Sequence, residues 1–234
     1  MIAATLFLIS CSSAANPQES GEATVSPPAE QAATATEAPV VETTSQAPAP
    51  ATEEVPAAKK LEESEEIVLI DDILPEGSTT EGTWGWDTSL NHSGEKSHTE
   101  PAAKGATEHS YRAKPVVIPK NSVIEQYVYL DPNDMPKGIM LKFRFENDGK
   151  EDEIGIYREG EEEVFVFNSD EPMLYDGTLP NAGKWEKLQI YCDDLGLVGA
   201  KLTGISFVTY GGRAYWDLTR IRAAKEGEQY PPEE

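Results

Sequence analysis

Cysteine is nearly absent. Cys11 and Cys192 are the only two among 234 residues, which excludes a scaffold stapled by several disulfides. Positive charge is also scarce. Nineteen Lys and Arg face 42 Asp and Glu, giving a net charge of −23. That balance lacks the basic footprint nucleic-acid binding requires, and it opposes electrostatic docking on anionic lipid. No apolar run is long enough to span a bilayer; the stretch from Met1 to Ile9 is about half the required length. Catalytic signatures are missing too: no Gly-x-Ser-x-Gly, no Walker loop and no His-Glu-x-x-His. The run Glu161-Glu162-Glu163 reads as a solvated hairpin of like charge. The chain is therefore expected not to be an enzyme.

Aromatic residues are absent from Ser12 to Glu65, where Ala, Thr, Pro, Ser and Glu dominate. Such a stretch cannot bury enough apolar surface to offset its ordering entropy. It is expected to be a disordered, expanded linker with a reach on the order of 40 Å. Ahead of it, Leu8-Ile9-Ser10-Cys11 ends a short apolar run and is flanked by small residues. This resembles a bacterial lipoprotein signal, although no Lys or Arg precedes the run. An ordinary secretory signal is the alternative. The resemblance implies cleavage before Cys11 and lipidation of its thiol. Several acyl chains, at about 0.8 kcal/mol per buried methylene, hold a membrane firmly. Ser12 follows, without an Asp that would signal inner-membrane retention, so the expected location is the outer membrane. The expected organisation is a signal peptide over 1–10, a linker with lipidated Cys11 over 11–65, one domain over 66–225 and a polar tail over 226–234.

Within the domain the apolar pattern has period two. Ile139, Leu141, Phe143 and Phe145 share one face, and Lys142 and Arg144 the other. Tyr127-Val128-Tyr129-Leu130 and Val164-Phe165-Val166-Phe167 are continuous runs, as in strands covered on both faces. Leu188 and Ile190 alternate with polar residues, and Ile205 to Tyr210 reads as a further strand. Glu159-Gly160, Asp176-Gly177 and Gly211-Gly212 punctuate the runs. Many short strands separated by turn signals predict an all-β fold, a single jelly-roll β-sandwich. Cys192, at a strand end, reads as a small half-buried residue.

A set of segments spread over the domain carries a resemblance. They are Asp71-Asp72-Ile73-Leu74-Pro75-Glu76-Gly77, Trp84-Gly85-Trp86, His92-Ser93-Gly94, His98 and His109. Further on come Tyr127-Val128-Tyr129-Leu130-Asp131-Pro132, Ile139-Met140-Leu141, Gly183-Lys184-Trp185, Gly204-Ile205-Ser206-Phe207 and Gly211-Gly212-Arg213-Ala214-Tyr215-Trp216-Asp217. Together they resemble a jelly-roll module of bacterial surface proteins, including RHS-type proteins, within the broader galactose-binding-like and carbohydrate-binding-like β-sandwiches. Related modules often carry an aromatic platform after Asp148-Gly149; here Lys150-Glu151-Asp152-Glu153 replaces it with charge.

Two candidate sites follow. Trp84, Trp86, His98, His109 and Tyr111 offer ring faces for stacking on sugars and polar groups for hydroxyls. The competing reading is that Trp84 and Trp86, two apart, seal one side of the core. The spacing of His98, Glu100 and His109 matches no zinc pattern. Asp71, Asp72 and Asp217 form the second candidate. The resemblance implies a structural calcium between an early loop and the last strand, and paired carboxylates suit one. Arg213 or Arg220 is the alternative partner for Asp217, which sits in an apolar strand where an unpaired charge is costly. The expected function is non-catalytic binding of a glycan or surface component by a lipid-anchored envelope module. The alternative is a structural or protein–protein role in an envelope complex or adhesin, with an envelope protein as partner.

Overall fold

The computed structural model describes residues 58–147, 149–165 and 172–228. The signal segment, Cys11 and the linker up to residue 57 lie outside them, as do Val166, Phe167 and the tail from residue 229. The described residues form twelve strands. They are β1 (Glu66–Ile70), β2 (Thr79–Glu81), β3 (Gly85–Asp87), β4 (Ser97–Thr99), β5 (Ala106–Val117) and β6 (Ser122–Leu130). Then come β7 (Gly138–Asn147), β8 (Lys150–Glu159), β9 (Met173–Thr178), β10 (Trp185–Tyr191), β11 (Lys201–Tyr210) and β12 (Ala214–Ala223). Two six-stranded sheets result, one ordered β10-β6-β12-β4-β3 with β1 also on β12, the other β2-β5-β11-β7-β8-β9. The pairings are antiparallel except for β8 with β9. This is the expected all-β jelly-roll sandwich.

Alternation builds the core. From β7 the side chains of Ile139, Leu141, Phe143 and Phe145 point inward, joined by Ile205 and Phe207 of β11. Facing them are Ile124, Val128 and Leu130 of β6 and Trp216 and Ile221 of β12. Burial of these branched and aromatic side chains supplies the main driving force, about 25 cal/mol for each Å² removed from water. Cys192 is buried in the same core, and burial pushes its thiol up to about 11, which leaves it protonated and inert. At the β11–β12 hairpin Gly212 has φ of 58°, and a Cβ there would run into the Asp134 carbonyl; glycine alone suits both conditions.

Three details differ from the sequence reading. Leu61 is buried and Lys60 bridges Lys120, so packing reaches into the stretch that composition assigns to the linker. Val164 and Phe165 are not strand residues. The Glu159 carboxylate accepts both of their N–H groups, which takes the backbone out of the ladder and lays Phe165 beside Tyr157 and Tyr210. Finally, β6 is not covered on both faces: Val128 and Leu130 are buried, while Tyr127 and Tyr129 stand half-buried on the open side.

Phe143 lies at the centre of this packing. Phe143→Ala is expected to cost about 3–5 kcal/mol, read as a lower urea midpoint; a loss under about 1 kcal/mol would place the core elsewhere.

Candidate functional site

The first predicted cluster does assemble, but inside the sandwich. Trp84 precedes β3 and packs against the core. Its ring stacks on His98 at 4.6 Å and meets His109 edge-on at 4.8 Å and Tyr111 at 6.4 Å. His98 and His109 are 0% exposed and Tyr111 is 3% exposed. These three side chains are enclosed away from solvent. His98 belongs to β4 and His109 to β5, so the pair closes the gap between the sheets. Trp86, 37% exposed, marks the rim of this packing, with Lys96 Nζ 5.4 Å from its ring centre. The packing supports the sealing role weighed for Trp84; Trp86 stays exposed at the rim.

The second cluster also assembles, for a different purpose. Asp72 Oδ1 accepts the N–H groups of Glu95 and Lys96, both at 2.7 Å. Asp217 Oδ2 accepts those of His92 at 2.6 Å and Ser93 at 3.0 Å, and its Oδ1 accepts that of Leu218. Asp87 Oδ1 takes those of Ser89 and Leu90. Six backbone N–H groups of the 88–96 loop, those of residues 89, 90, 92, 93, 95 and 96, are thus held by aspartates. Burial pushes Asp217 up, against the pull of those N–H groups. Burial and the nearby charge of Asp217 do the same to Asp71. Neither arginine partners Asp217: Arg220 binds Glu125 and Glu66, and Arg213 donates to Tyr215.

This donor set does not fit calcium. The ion takes six to eight oxygens, whereas the carboxylates of Asp72 and Asp217 already face N–H dipoles. Asp71 Oδ1 is buried without a partner. Among the described residues no group of three or more His, Cys, Asp or Glu is placed to hold a metal ion.

The open face of the β10-β6-β12 layer carries a feature the sequence reading missed. Cross-strand register sets Trp185 of β10 opposite Tyr129 of β6, and Tyr129 opposite Tyr215 of β12. Residues directly opposite share a face, so three rings line up across three adjacent strands. Their centroids are 5.8 Å and 6.1 Å apart. In the next row Tyr127 lies under His92, ring centres 3.7 Å apart and planes within 15°. His92 also approaches Trp185 at 5.9 Å. Asp217 makes that placement, because it holds the His92 backbone.

Below the rings is a charge cluster. Glu125 is 1% exposed yet points to the open side, where it meets Arg222 Nε at 2.7 Å, Arg220 Nη2 at 2.8 Å and Lys187 Nζ at 3.0 Å. Burial pushes its carboxyl up, but hydrogen bonds from these three cations outweigh that and hold it below the usual range. Glu228 balances Arg222, whose hydrogen bonds bring it down to about 2. Such fully paired charges fix side-chain positions more than they add stability. They make a rigid floor beside the aromatic row.

Among solved structures, the chain is similar to a carbohydrate-binding module of the β-sandwich superfamily, at 11% identity and TM-score 0.40 over 70% of this chain and 62% of that one. It is similar to the CBM22-1 xylan-binding domain from Paenibacillus barcinonensis Xyn10C, at 18% identity and TM-score 0.39 over 72% and 99%. A third is the family 11 carbohydrate-binding module from Clostridium thermocellum in complex with a β-1,3-1,4-mixed-linked tetrasaccharide, at 10% identity and TM-score 0.41 over 68% and 96%. No protein-family model and no curated protein matches the chain.

The aspartate-held loop gives a direct test of the metal question. Chelation with EDTA is expected to leave the melting temperature unchanged within about 1 °C, since loop N–H groups already engage the carboxylates of Asp72 and Asp217. A fall of several degrees, reversed by added calcium, would contradict it.

Proposed function

We propose that the open face of the β10-β6-β12 layer binds a glycan without catalysis, and that an acyl anchor on Cys11 holds the module at a bacterial cell envelope. The observation that carries the binding reading is the row Trp185–Tyr129–Tyr215 with His92 stacked on Tyr127. Half-buried rings on a rigid sheet present flat apolar surface at little conformational cost. The C–H faces of pyranose rings stack on such surfaces, and the phenolic hydroxyls and the His92 ring bond to sugar hydroxyls. Lys187, part of the paired floor, adds a donor at the edge of the row.

The anchor rests on sequence alone, on Leu8-Ile9-Ser10-Cys11 and the polar stretch behind it. Ser12 at the next position supports delivery to the outer membrane. The Ala/Thr/Pro/Glu-rich span lets the sandwich search a shell of tens of ångströms, about 40 Å in radius, and raises its effective concentration at a surface.

One observation favours the protein-docking alternative. On the opposite sheet, β9 is an edge strand in which Leu174 is 38% and Tyr175 56% exposed. Apolar groups on an open edge are surfaces that partners cover. The aromatic row has more rings in mutual contact and a built polar floor, so the glycan reading takes precedence.

Affinity electrophoresis against a panel of neutral and acidic polysaccharides tests the binding reading. Trp185→Ala, Tyr129→Ala and Tyr215→Ala are each expected to weaken binding on the order of tenfold with the melting temperature little changed. Trp84→Ala is expected to lower stability and leave affinity intact in the folded fraction. Binding that survives all three face variants would sink the reading. For the anchor, wild-type chain is expected to incorporate a fatty-acid label and Cys11→Ser to incorporate none; label retained by the variant would refute it.

A further inference from the structure

The buried histidines do something that the binding reading does not use. His98 Nδ1 and His109 Nε2 are 2.8 Å apart, one ring on each sheet. A single hydrogen fits between them. His109 Nδ1 lies 3.7 Å from Glu100 Oε1, too long for a hydrogen bond but near enough to feel the charge. Glu100 Oε1 accepts the Thr107 hydroxyl. A carboxylate beside Nδ1 favours the tautomer with hydrogen there, which leaves His109 Nε2 as acceptor and His98 Nδ1 as donor. His98 Nε2 is then a bare acceptor, and it is buried without a partner. With both rings neutral the pair buries no charge. A further proton would put a charge at 0% exposure among Trp84, Phe207 and Trp216.

The pair also sits where the fold is thinly tied. β3 pairs with β4, and β4 joins β12 through two register positions, Thr99 with Tyr215 and His98 with Trp216. Side chains add to the hold on this hairpin: the His98–His109 bond, the Trp84 stack, the Thr99 hydroxyl on the Ala214 carbonyl, the Glu100–Thr107 bond, and the Asp72 and Asp217 contacts at its tip. Segments with so short a ladder open before the sheets that carry them. The tip of this hairpin bears His92, which covers Tyr127 beside Trp185.

We propose that the His98–His109 pair is an acid-sensitive latch, and that proton uptake by it frees the β3–β4 hairpin and withdraws His92 from the aromatic face. The sign follows from linkage. Burial first, and the neighbouring His109 second, hold His98 well below its ordinary value, while an unfolded histidine titrates at about 6.5. Stability from the neutral pair is therefore complete above that value and lost as pH falls beneath it, about tenfold in the opening equilibrium per pH unit for each proton taken up. The titratable groups near the pair are Glu100 beside His109, Tyr111 of β5 across the Trp84 ring, and Lys96 beyond Trp86. Phe207 of β11 and Trp216 of β12 present uncharged rings. Asp71, Asp72 and Asp217 gather at the hairpin tip, where burial pushes the carboxyls of Asp71 and Asp217 up. At neutral pH the latch is shut; in an acidified medium it opens and the face loses one ring.

Hydrogen exchange on the full chain between pH 7.5 and 5.0, corrected for intrinsic rates, reads the latch directly. Residues 82–100 are expected to lose protection at least about tenfold relative to β7 and β11 over one pH unit below 6.5, and His98→Gln with His109→Gln is expected to abolish that difference. Unchanged protection in the hairpin, or equal loss across all strands, overturns the proposal. So does a pH response that persists in a folded double variant, which would assign it to the aspartates. If the double variant does not fold, the wild-type pattern decides alone. Weaker polysaccharide binding at pH 5.5 than at 7.5 is the functional counterpart and rests on the aromatic-face reading; with no polysaccharide bound at any pH, the exchange pattern still tests the latch.

Discussion

The two-residue period of β6, and of β12 on either side of its bulge between Asp217 and Arg220, is the constraint on which the rest depends. One set of their side chains, Ile124, Val128, Leu130, Trp216 and Ile221, closes the core. The alternate set, Glu125, Tyr127, Tyr129 and Tyr215, is thereby forced onto the open side. A one-residue slip in either strand would exchange the two sets and destroy both core and face. Core packing and the aromatic face are consequences of the same register.

Much of the core was legible in the sequence because it is local. The alternation of Ile139, Leu141, Phe143 and Phe145 against Lys142 and Arg144 needs only neighbours along one strand, and the structure keeps it. The aromatic row was not legible, because it is cross-strand. Nothing near Trp185 announces that Tyr129 and Tyr215, tens of residues away, will share its row; that depends on register. The run Tyr127-Val128-Tyr129-Leu130 reads as covered on both faces because tyrosine is apolar enough to pass for core, and only the absence, among the described residues, of a third layer over that sheet tells otherwise.

The histidines and aspartates mislead for a related reason. Trp84, His98 and His109 occur among Gly, Ser and Thr, a composition typical of surface loops. Three short strands nonetheless fold that region into the gap between the sheets. Asp71, Asp72 and Asp217 have the chemistry of cation ligands, and they do meet. Their lone pairs go largely to the N–H groups of the 88–96 loop instead. A carboxylate serves either purpose, and loop conformation decides between them. The outcome places His92 on the face, so acids read as a metal site act as positioning residues for an aromatic one.

The tryptophans report directly on the proposed glycan contact. The chain has four tryptophans, and their indole N–H groups give separate nuclear magnetic resonance signals for Trp84, Trp86, Trp185 and Trp216. Titration with a bound oligosaccharide is predicted to move the Trp185 signal and leave those of Trp84 and Trp216 in place. Movement confined to Trp84 and Trp86, with Trp185 still, would contradict the assignment of the open β10-β6-β12 face.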